Sequence, residues 1–248
     1  LTAIACYKNG EDGITGVDLD GSIQVSPNGL NVYVAGIGSD SIAIFDRQAT
    51  TGVLEYRGRV RQNGLTVDGI VGPRQMELSP DGDYLYVIST GRFGSASAVA
   101  VFSCDPVDGD LDYVGCIKHG DDGIDILENC YDLAVSPDGG QVYVVSLNDR
   151  NLVTFNVNST SGMIEYADHF GFYDNEIFNY PRQVDASPDG QFVYVSCDPV
   201  ILVFSRNADT GELTYEMTLA EGDGGVEGLH GAENVVASPD GRHVYISG

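Results

Sequence analysis

Short apolar runs, each ended by turn residues, recur along the whole chain. The turn sequence Ser-Pro-Asp-Gly, or a close variant, is followed in each copy by an apolar segment such as NVYVAG or QVYVVS. Successive copies start 53, 57, 51 and 51 residues apart. A period near 50 residues is typical of a β-propeller blade or of a solenoid coil. The five copies begin at Ser26, Ser79, Ser136, Ser187 and Ser238.

Each repeat contains four apolar segments, which the first copy shows in the order SIQVS, NVYVAG, SIAIFD and VLEYRGRV. Ser-Pro-Asp-Gly predicts a tight hairpin between the first two, because proline has a fixed φ and glycine accepts a positive one. A second glycine turn predicts a hairpin between the third and the fourth. The repeat is therefore predicted to be a four-stranded antiparallel meander. The second turns are Thr51-Gly52, Asp108-Gly109, Ser161-Gly162 and Thr210-Gly211.

The pattern within the strands favours a propeller over a sandwich. Residues 142–145 and 201–204 are apolar at every position, as expected for sheets covered on both faces by neighbouring blades. In the first strand of each repeat polar and apolar residues alternate, so this strand is predicted to line a wet central channel. Its polar residues are Gln75, Glu77, Gln183, Asp185 and Asn234.

We therefore expect an all-β fold, a single β-propeller domain over residues 1–248 with four-stranded antiparallel blades. Residues 232–248 supply only two strands of a fifth blade, and residues 1–8 resemble a fourth strand. The favoured arrangement is a five-bladed ring whose incomplete last blade is completed by the N-terminal strand. The alternatives are a longer propeller with six or seven blades, or self-association through the open blade. The complete blades lie near residues 20–60, 73–117, 130–170 and 181–219.

The chain is strongly acidic, with 37 Asp and Glu against 12 Lys and Arg and a formal net charge of −25. Charge of this sign repels phosphate backbones and anionic lipids, so nucleic acid is not expected as a partner. The apolar runs fall well short of the ~20 residues of a spanning helix, so membrane insertion is not expected. The start at Leu1 indicates a processed protein or an excised piece, and the acidic surface favours an extracellular or periplasmic location.

Two arginines directly precede the alternating first strands of their blades. Side chains there would reach the channel mouth, where paired guanidiniums could hold a carboxylate or phosphate of a small anionic ligand. Two histidines in loops between blades could line the same pocket. The alternative is that each arginine pairs with a nearby acid, such as Glu77 or Asp185, and braces the ring. The candidate ligand-binding residues are Arg74, Gln75, Arg182, Gln183, His119 and His230.

Acidic, glycine-rich segments precede several of the first strands and suggest calcium as a cofactor. Calcium takes six to eight oxygen ligands, which clustered carboxylates and flexible carbonyls can supply. The alternative is that Asp-Gly is ordinary turn chemistry, repeated because the blade is repeated. The candidate calcium ligands are Asp12, Asp121, Asp122 and Asp223.

The chain has five cysteines, so at least one is free or forms an intermolecular bond. Cys104 and Cys116 lie on the third and fourth strands of one predicted hairpin and could face each other as a disulfide. The alternative, two reduced apolar side chains, stays open.

The SPDGxxVYV strand pair, the IAIF-type third strand and the segments Pro73-Arg74-Gln75 and Pro181-Arg182-Gln183 resemble the lactonase-like or YVTN-type β-propeller superfamily. The resemblance covers essentially the whole chain and implies a propeller fold. It also implies sugar-lactone hydrolysis or muconate-type cycloisomerisation as possible activities, beside surface or periplasmic propellers without a known reaction. Enzymes of the superfamily are generally seven-bladed.

The sequence contains no Gly-x-Ser-x-Gly, His-Glu-x-x-His, phosphate-loop or Cys-x-x-Cys motif. We therefore expect a non-enzymatic, extracytoplasmic propeller that works as a binding or structural module on a small anion or another protein. The second hypothesis is a lactonase-like hydrolase or cycloisomerase acting on an anionic small molecule at the channel mouth. The third is a self-assembling subunit.

Overall fold

The computed structural model describes residues 3–18, 21–92, 94–171 and 180–248. These residues form eighteen β-strands and two single-turn 3-10 helices, Asp121–Gly123 and Asp223–Gly225. Among them, no helix has the length and apolar character needed to cross a membrane. The chain divides into two compact units. Unit 1 comprises Leu1–Asp121 with Ser161–Met163, and unit 2 comprises Asp122–Thr160 with Ile164–Gly248.

Unit 1 contains two antiparallel sheets of four strands, blade 1 and blade 2, in each of which the strands pair in chain order. Blade 1 consists of β1 (Ile23–Val25), β2 (Asn31–Gly36), β3 (Ser41–Arg47) and β4 (Leu54–Arg61). Blade 2 consists of β5 (Pro73–Leu78), β6 (Tyr84–Ser89), β7 (Ala98–Cys104) and β8 (Leu111–Lys118).

Unit 2 contains two further four-stranded antiparallel sheets and one of two strands. Blade 3 consists of β9 (Cys130–Val135), β10 (Gln141–Ser146), β11 (Asn151–Val157) and β12 (Ile164–Gly171). Blade 4 consists of β13 (Pro181–Ala186), β14 (Phe192–Cys197), β15 (Val200–Arg206) and β16 (Leu213–Ala220). Blade 5 consists of β17 (Asn234–Ala237) and β18 (Val244–Ser247). The predicted four-stranded antiparallel meander is therefore confirmed.

The Ser-Pro-Asp-Gly turn closes the first hairpin of each blade through its own side chains. In blade 2 the Ser79 hydroxyl donates to Asp81 Oδ1 at 2.6 Å and accepts from the N–H of Tyr84 at 2.9 Å. Gly82 has a φ of +82°, which glycine adopts without strain, and its N–H donates to the Ser79 carbonyl. Equivalent serine bonds recur at Ser26, Ser136, Ser187 and Ser238.

Both faces of the middle strands are buried, as the consecutive apolar residues predicted. Every residue of β10 is buried. In unit 1, Tyr33 and Ile42 of blade 1 share a core with Leu85 and Phe102 of blade 2, and a corresponding core joins blades 3 and 4 in unit 2. Burying one large apolar side chain contributes about 1.5–3 kcal/mol. Packing between blades is therefore the main source of stability in each unit.

Polar side chains of the first strands connect neighbouring blades of unit 2. Asp132 Oδ2 of β9 accepts from the N–H of Val184 in β13 at 3.0 Å. Asp185 Oδ2 of β13 accepts from the N–H of Ala237 in β17 at 2.7 Å. Burial raises the pKa of Asp185, while its backbone hydrogen bonds oppose the rise. These polar positions, predicted to line a wet channel, supply acceptors to the backbone of the next first strand.

The N-terminal segment differs from the prediction. Residues 3–8 form no strand, and Tyr7 packs edge-on against Phe45 of blade 1 with ring centroids 6.1 Å apart. The Tyr7 hydroxyl accepts from the N–H of Leu54 at 2.7 Å. The expected completion of the last blade by the N-terminal strand is therefore wrong, because the aromatic anchor of this segment is used in blade 1. The single domain, the five-bladed ring and self-association stay predictions.

The predicted disulfide is also wrong, because the hairpin register separates its two cysteines. Cys104 pairs with Leu111, whereas Cys116 pairs with Ala100, four residues earlier on β7. Four residues of a strand span about 13 Å, far more than a disulfide bridges. All five cysteines are free. Burial raises the pKa of Cys104 to about 12, so it behaves as an apolar core residue.

A one-residue bulge, not predicted from the sequence, interrupts the pairing of the third and fourth strands in every four-stranded blade. The extra residue always lies on the fourth strand, directly after the tyrosine that pairs with the phenylalanine of the third. A bulge turns its side chain away from the regular alternation. The bulged residues are Arg57, Val114, Ala167 and Glu216.

Candidate functional site

Each four-stranded blade has two ends, because its strands run up and down in turn. The loop from the second strand to the third and the loop to the next blade lie at one end, called here the loop end. The Ser-Pro-Asp-Gly turn and the turn from the third strand to the fourth lie at the other, called the turn end. The predicted ligand-binding arginines and histidines all belong to the loop end, and in unit 1 these are Arg74 and His119.

At the loop end of unit 1, Arg92 joins blade 2 to blade 1. Its Nη2 lies 2.5 Å from Asp40 Oδ1 and also donates to the carbonyl of Ile37. The N–H of Gly72 donates to the same Asp40 oxygen at 2.8 Å. One carboxylate therefore neutralises this guanidinium and fixes the loop before β5.

A second ion pair at this end joins Lys118 to Asp68, with Nζ 2.5 Å from Oδ2. Gln62 Nε2 donates to the other carboxylate oxygen at 2.8 Å. The hydrogen bond from Lys118 lowers the pKa of Asp68, and the same bond raises the pKa of Lys118. Both groups are therefore ionised at neutral pH, and the lysine has a carboxylate partner.

Arg182 of unit 2 has different surroundings. Its guanidinium carbon lies over the ring of Tyr131, 5.2 Å from the centroid. Among the described residues it forms no ion pair, since Asp185, the partner considered from the sequence, accepts from β17 instead. A cation resting on a ring keeps its charge and directs its N–H groups outward in the ring plane. Arg182 is half-buried at the second position of β13.

The glutamine beside each arginine has a local role. Gln183 Oε1 accepts from the N–H of Val235 at 2.7 Å, and its own N–H donates to Ser196 Oγ at 3.0 Å. Gln75 Oε1 accepts from the N–H of the next residue at 3.4 Å. The Gln183 side chain therefore holds β17 against blade 4.

The two histidines have unequal exposure. His119 is half-buried, directly follows β8 and donates its N–H to the carbonyl of Ser97 at 2.9 Å. His230 is exposed, and Glu221 lies close enough for the two charges to interact. The backbone N–H groups of Leu229 and Gly228 lower the pKa of Glu221, which is thus a carboxylate at neutral pH.

The predicted residues are divided between the two units. Arg74, half-buried at the second residue of β5, lies with His119 in unit 1, whereas Arg182 and His230 lie in unit 2. The Arg74 carbonyl accepts from the N–H of Ser22 in blade 1 at 3.1 Å. The convergence of all four residues on one ligand stays a prediction.

The candidate calcium ligands do not form a cluster. Within the described residues, no three acidic, cysteine or histidine side chains are placed to hold a metal ion. Asp121 Oδ2 accepts from the N–H of Lys118 at 3.0 Å, and Asp12 and Asp122 have φ values of +50° and +47°. Asp223 begins a single-turn 3-10 helix. These features are turn chemistry, so calcium stays a prediction that the structure does not support.

Sequence reasoning missed Arg92 and Tyr131. The repeat itself contains a signal for Tyr131, because this residue stands at the second position of β9, as Arg182 does in β13 and Arg74 in β5. Within unit 2 the side chains at this position of β9 and β13 contact each other. Arg92 lies in a loop whose sequence has no counterpart in the other blades.

The repeated four-stranded antiparallel blades, whose middle strands are buried on both faces, define a β-propeller fold. The family model described as a lactonase with a seven-bladed β-propeller matches residues 1–116 and 62–226. These matches cover most of the sequence, and the chain belongs to this lactonase family.

Proteins similar to this chain agree with this assignment. A 6-phosphogluconolactonase of Pectobacterium carotovorum is 23% identical over 93% of this chain and 65% of its own length. A Pseudomonas aeruginosa periplasmic gluconolactonase has the same fold, with a TM-score of 0.64 and 22% identity over 82% of this chain and 54% of its own. A Lactobacillus plantarum protein has a TM-score of 0.70 and is 20% identical over 92% of this chain and 63% of its own length. The chain thus spans less than two thirds of these proteins.

The expected non-enzymatic binding or structural module is therefore wrong. The family is described by an enzymatic activity, and the named relatives are lactonases. The expectation relied on the uniformity of the repeats and on missing catalytic motifs. In a propeller, functional groups come from equivalent positions of different blades, so a short local motif is not required.

Proposed function

We propose that this chain contributes to a lactonase that hydrolyses a sugar lactone bearing a negatively charged group. The observation that carries the proposal is Arg182 on the Tyr131 ring, without a carboxylate partner among the described residues, in a chain of the lactonase family. The names of the relatives support a gluconolactone as the substrate class, and the 6-phosphate in one of these names supplies the negative charge.

The reaction sets the requirements for the site. Water adds to the lactone carbonyl, the ring C–O bond breaks, the alkoxide leaving group takes up a proton, and the product is a hydroxy acid. Negative charge develops on the carbonyl oxygen, so a cationic donor directed at that oxygen lowers the barrier. The attacking water must also lose a proton to a base within about 3 Å.

We assign to Arg182 the role of binding the anionic group of the substrate. A guanidinium presents two parallel N–H groups that match a carboxylate or phosphate, and the Tyr131 ring limits its rotation. In a protein with a net charge of −25, a cation without a carboxylate partner is a local attractor for an anion. Arg74, which starts the equivalent strand of unit 1, is the second candidate for this role.

Proton transfer is assigned to a loop histidine. His230 is exposed, so a bound substrate can reach its imidazole, and the carboxylate of Glu221 lies nearby. His119 is the alternative in unit 1. Removing a general base lowers kcat by roughly 10²–10⁴-fold, so His230→Ala and His119→Ala distinguish the two.

An extracytoplasmic location belongs to the same proposal. It is supported by the acidic surface and by the periplasmic location in the name of the Pseudomonas aeruginosa relative. Fractionation of the native host, with an antibody against this chain, tests it directly.

The test of the activity is proton release from 6-phosphoglucono-δ-lactone and glucono-δ-lactone, followed at constant pH against the spontaneous rate. We expect release above the spontaneous rate for the wild type and for Arg242→Ala, an exposed arginine at a turn end. Arg182→Ala should lose most of the acceleration. Wild-type rates equal to the spontaneous rate for both lactones, with the protein folded, would contradict the proposal.

A further inference from the structure

A groove of unit 2 lies between blades 3 and 4 and runs from residues 210–212 at the turn end of blade 4 to Leu152 and Phe170 near the loop end of blade 3. Its cavity volume is about 240 Å³. The walls are apolar, with Leu152, Phe170 and Phe204, and the two rings of Phe170 and Phe204 meet edge to face at 5.1 Å. The rim is polar and acidic. It includes Asn156, Asp168, Thr210 and Glu212.

The repeat provides a second copy of this groove in unit 1, between blades 1 and 2, lined in part by Arg57 and Asp110. There a guanidinium is already held. Arg57 Nη1 donates to the carbonyl of Asp108 at 2.5 Å and lies 3.3 Å from Asp46 Oδ1. Its Nη2 lies 3.3 Å from Asp110 Oδ1. This position of the repeat is thus built to accept a planar cation.

Strand register identifies which residues correspond. Arg57 and Ala167 are the bulged residues of β4 and β12, so alanine stands where unit 1 has the arginine. Asn156 on β11 takes the place of Asp46 on β3, since both lie directly after the phenylalanine that faces the bulge. Unit 2 therefore has no arginine at this bulge, and the guanidinium between blades 3 and 4 comes from Arg206 of β15 instead.

Two acceptors around that cation are retained, although uncharged Asn156 and Thr210 stand where unit 1 has Asp46 and Asp108. In the turn of the next blade, Thr210-Gly211-Glu212 replaces Asp108-Gly109-Asp110, which keeps the backbone carbonyl and the carboxylate. Asp168 adds a further carboxylate to the lining. The basic side chain in the lining is His169, whose Nδ1 is 2.8 Å from the Tyr166 hydroxyl.

We propose that the groove formed by Ala167, Asn156, Thr210, Glu212 and the two phenylalanines binds a small organic cation with a guanidinium head group. The retained acceptors match a forked donor, and a single point charge such as an ammonium uses fewer of them. The phenylalanine rings add a cation–π contact and cover the alkyl part of the ligand. The site does not depend on the proposed lactonase activity, because none of the residues assigned to that activity lines this groove.

Titration of the ¹⁵N-labelled protein with methylguanidinium, followed by amide chemical shifts, tests the proposal. We expect saturable shifts confined to Ala167, Thr210, Gly211 and Glu212, with a dissociation constant on the order of 1–10 mM. Methylammonium at equal ionic strength should bind at least about 3-fold more weakly. Shifts that do not saturate, or that saturate elsewhere, overturn the proposal.

Three variants sharpen the test. Ala167→Arg supplies the missing side chain from within and should abolish binding, whereas Glu212→Gln should weaken it roughly 3- to 10-fold. Arg57→Ala opens the equivalent groove of unit 1 and should add a second set of saturable shifts at Gly109 and Asp110. Binding that Ala167→Arg and Glu212→Gln both leave unchanged overturns the proposal, and so does an Arg57→Ala protein without the second set.

Discussion

The loop ends of the two units hold their cations in different surroundings. In unit 1, Arg92 and Lys118 each lie 2.5 Å from a carboxylate. In unit 2, Arg182 lies over the ring of Tyr131, and among the described residues no acid pairs with it. A carboxylate cancels the charge of its partner, whereas an aromatic ring leaves that charge available. The loop end of unit 1 is thus braced by ion pairs, and that of unit 2 by a cation–π contact.

The arginines at the turn ends are both paired with acids and differ in how deeply they are buried. The guanidinium of Arg57 in unit 1 is 30% exposed and faces three acids. In unit 2 the side chain of Arg206 is only 2% exposed and bridges blade 4 to blade 3. It donates to Gln141 Oε1 and to the carbonyl of Gly190 and lies 2.6 Å from Asp138 Oδ2. The polar contacts that join blades are therefore specific to each pair.

Arg206→Ala should cause the largest loss of stability. The change leaves the Gln141 and Gly190 oxygens without their buried donor and removes the partner of Asp138. We expect the free energy of unfolding to fall by about 3 kcal/mol, measured by urea denaturation. A loss below about 1 kcal/mol would show that this buried bridge is dispensable. Arg242→Ala, in an exposed turn, is the control and should be neutral.

Arg57→Ala should have a smaller effect, although Arg57 contacts more acids than Arg206. Its partners are half-exposed and regain water when the arginine is removed. The expected loss is about 1 kcal/mol at low salt, and it should shrink at 1 M salt because the pair is screened. The Arg206→Ala loss should change little with salt. Equal losses and equal salt dependence for the two variants would remove the contrast between the turn ends.

Asp185→Asn tests the acceptor that joins β13 to β17. Burial raises the pKa of Asp185, so the folded state holds its proton more tightly than the unfolded chain does. This group therefore lowers the free energy of unfolding as pH rises from the ordinary Asp pKa, about 3.9, through the raised value in the folded state. The asparagine retains an acceptor for Ala237, so it should remove this decline at a cost below about 1 kcal/mol. An unchanged pH profile would contradict the account.

Reduction should have no effect at all, because the five cysteines are free. A reducing agent is expected to leave the melting temperature unchanged. In the native protein only the exposed Cys6 should react rapidly with a thiol reagent, and all five should react after denaturation. Burial, which raises the pKa of Cys104 and of Cys130 to about 12, is the reason for the slow reaction of those two.

The sequence was sufficient to predict the strands and turns of each blade, but it was insufficient to predict strand register and the contacts between blades. Strand order and turn position follow from local chemistry, since Ser79, Asp81 and Gly82 close their hairpin with bonds inside the motif. The bulge on the fourth strand carries no such motif. Without the bulge Cys116 would pair with Val99 instead of Ala100, and this register depends on packing across the whole hairpin.

The positions of the candidate site residues could be predicted from the sequence, but the residues that contact them could not. Arg182 and Arg74 are visible in the sequence because each precedes a first strand. The ring below Arg182 comes from a strand 51 residues earlier, and the carboxylate beside Arg92 comes from a loop of the preceding blade. Such contacts between blades become apparent only when equivalent positions of successive repeats are aligned.

The most direct test of the anion-binding role of Arg182 is the ratio of kcat/KM for 6-phosphoglucono-δ-lactone to that for glucono-δ-lactone, in the wild type and in Arg182→Ala. Loss of hydrogen bonds to a charged group costs about 1.5–3 kcal/mol, so the ratio should fall roughly 10- to 100-fold, and Arg182→Lys should recover part of it. A ratio that Arg182→Ala leaves unchanged would contradict the account.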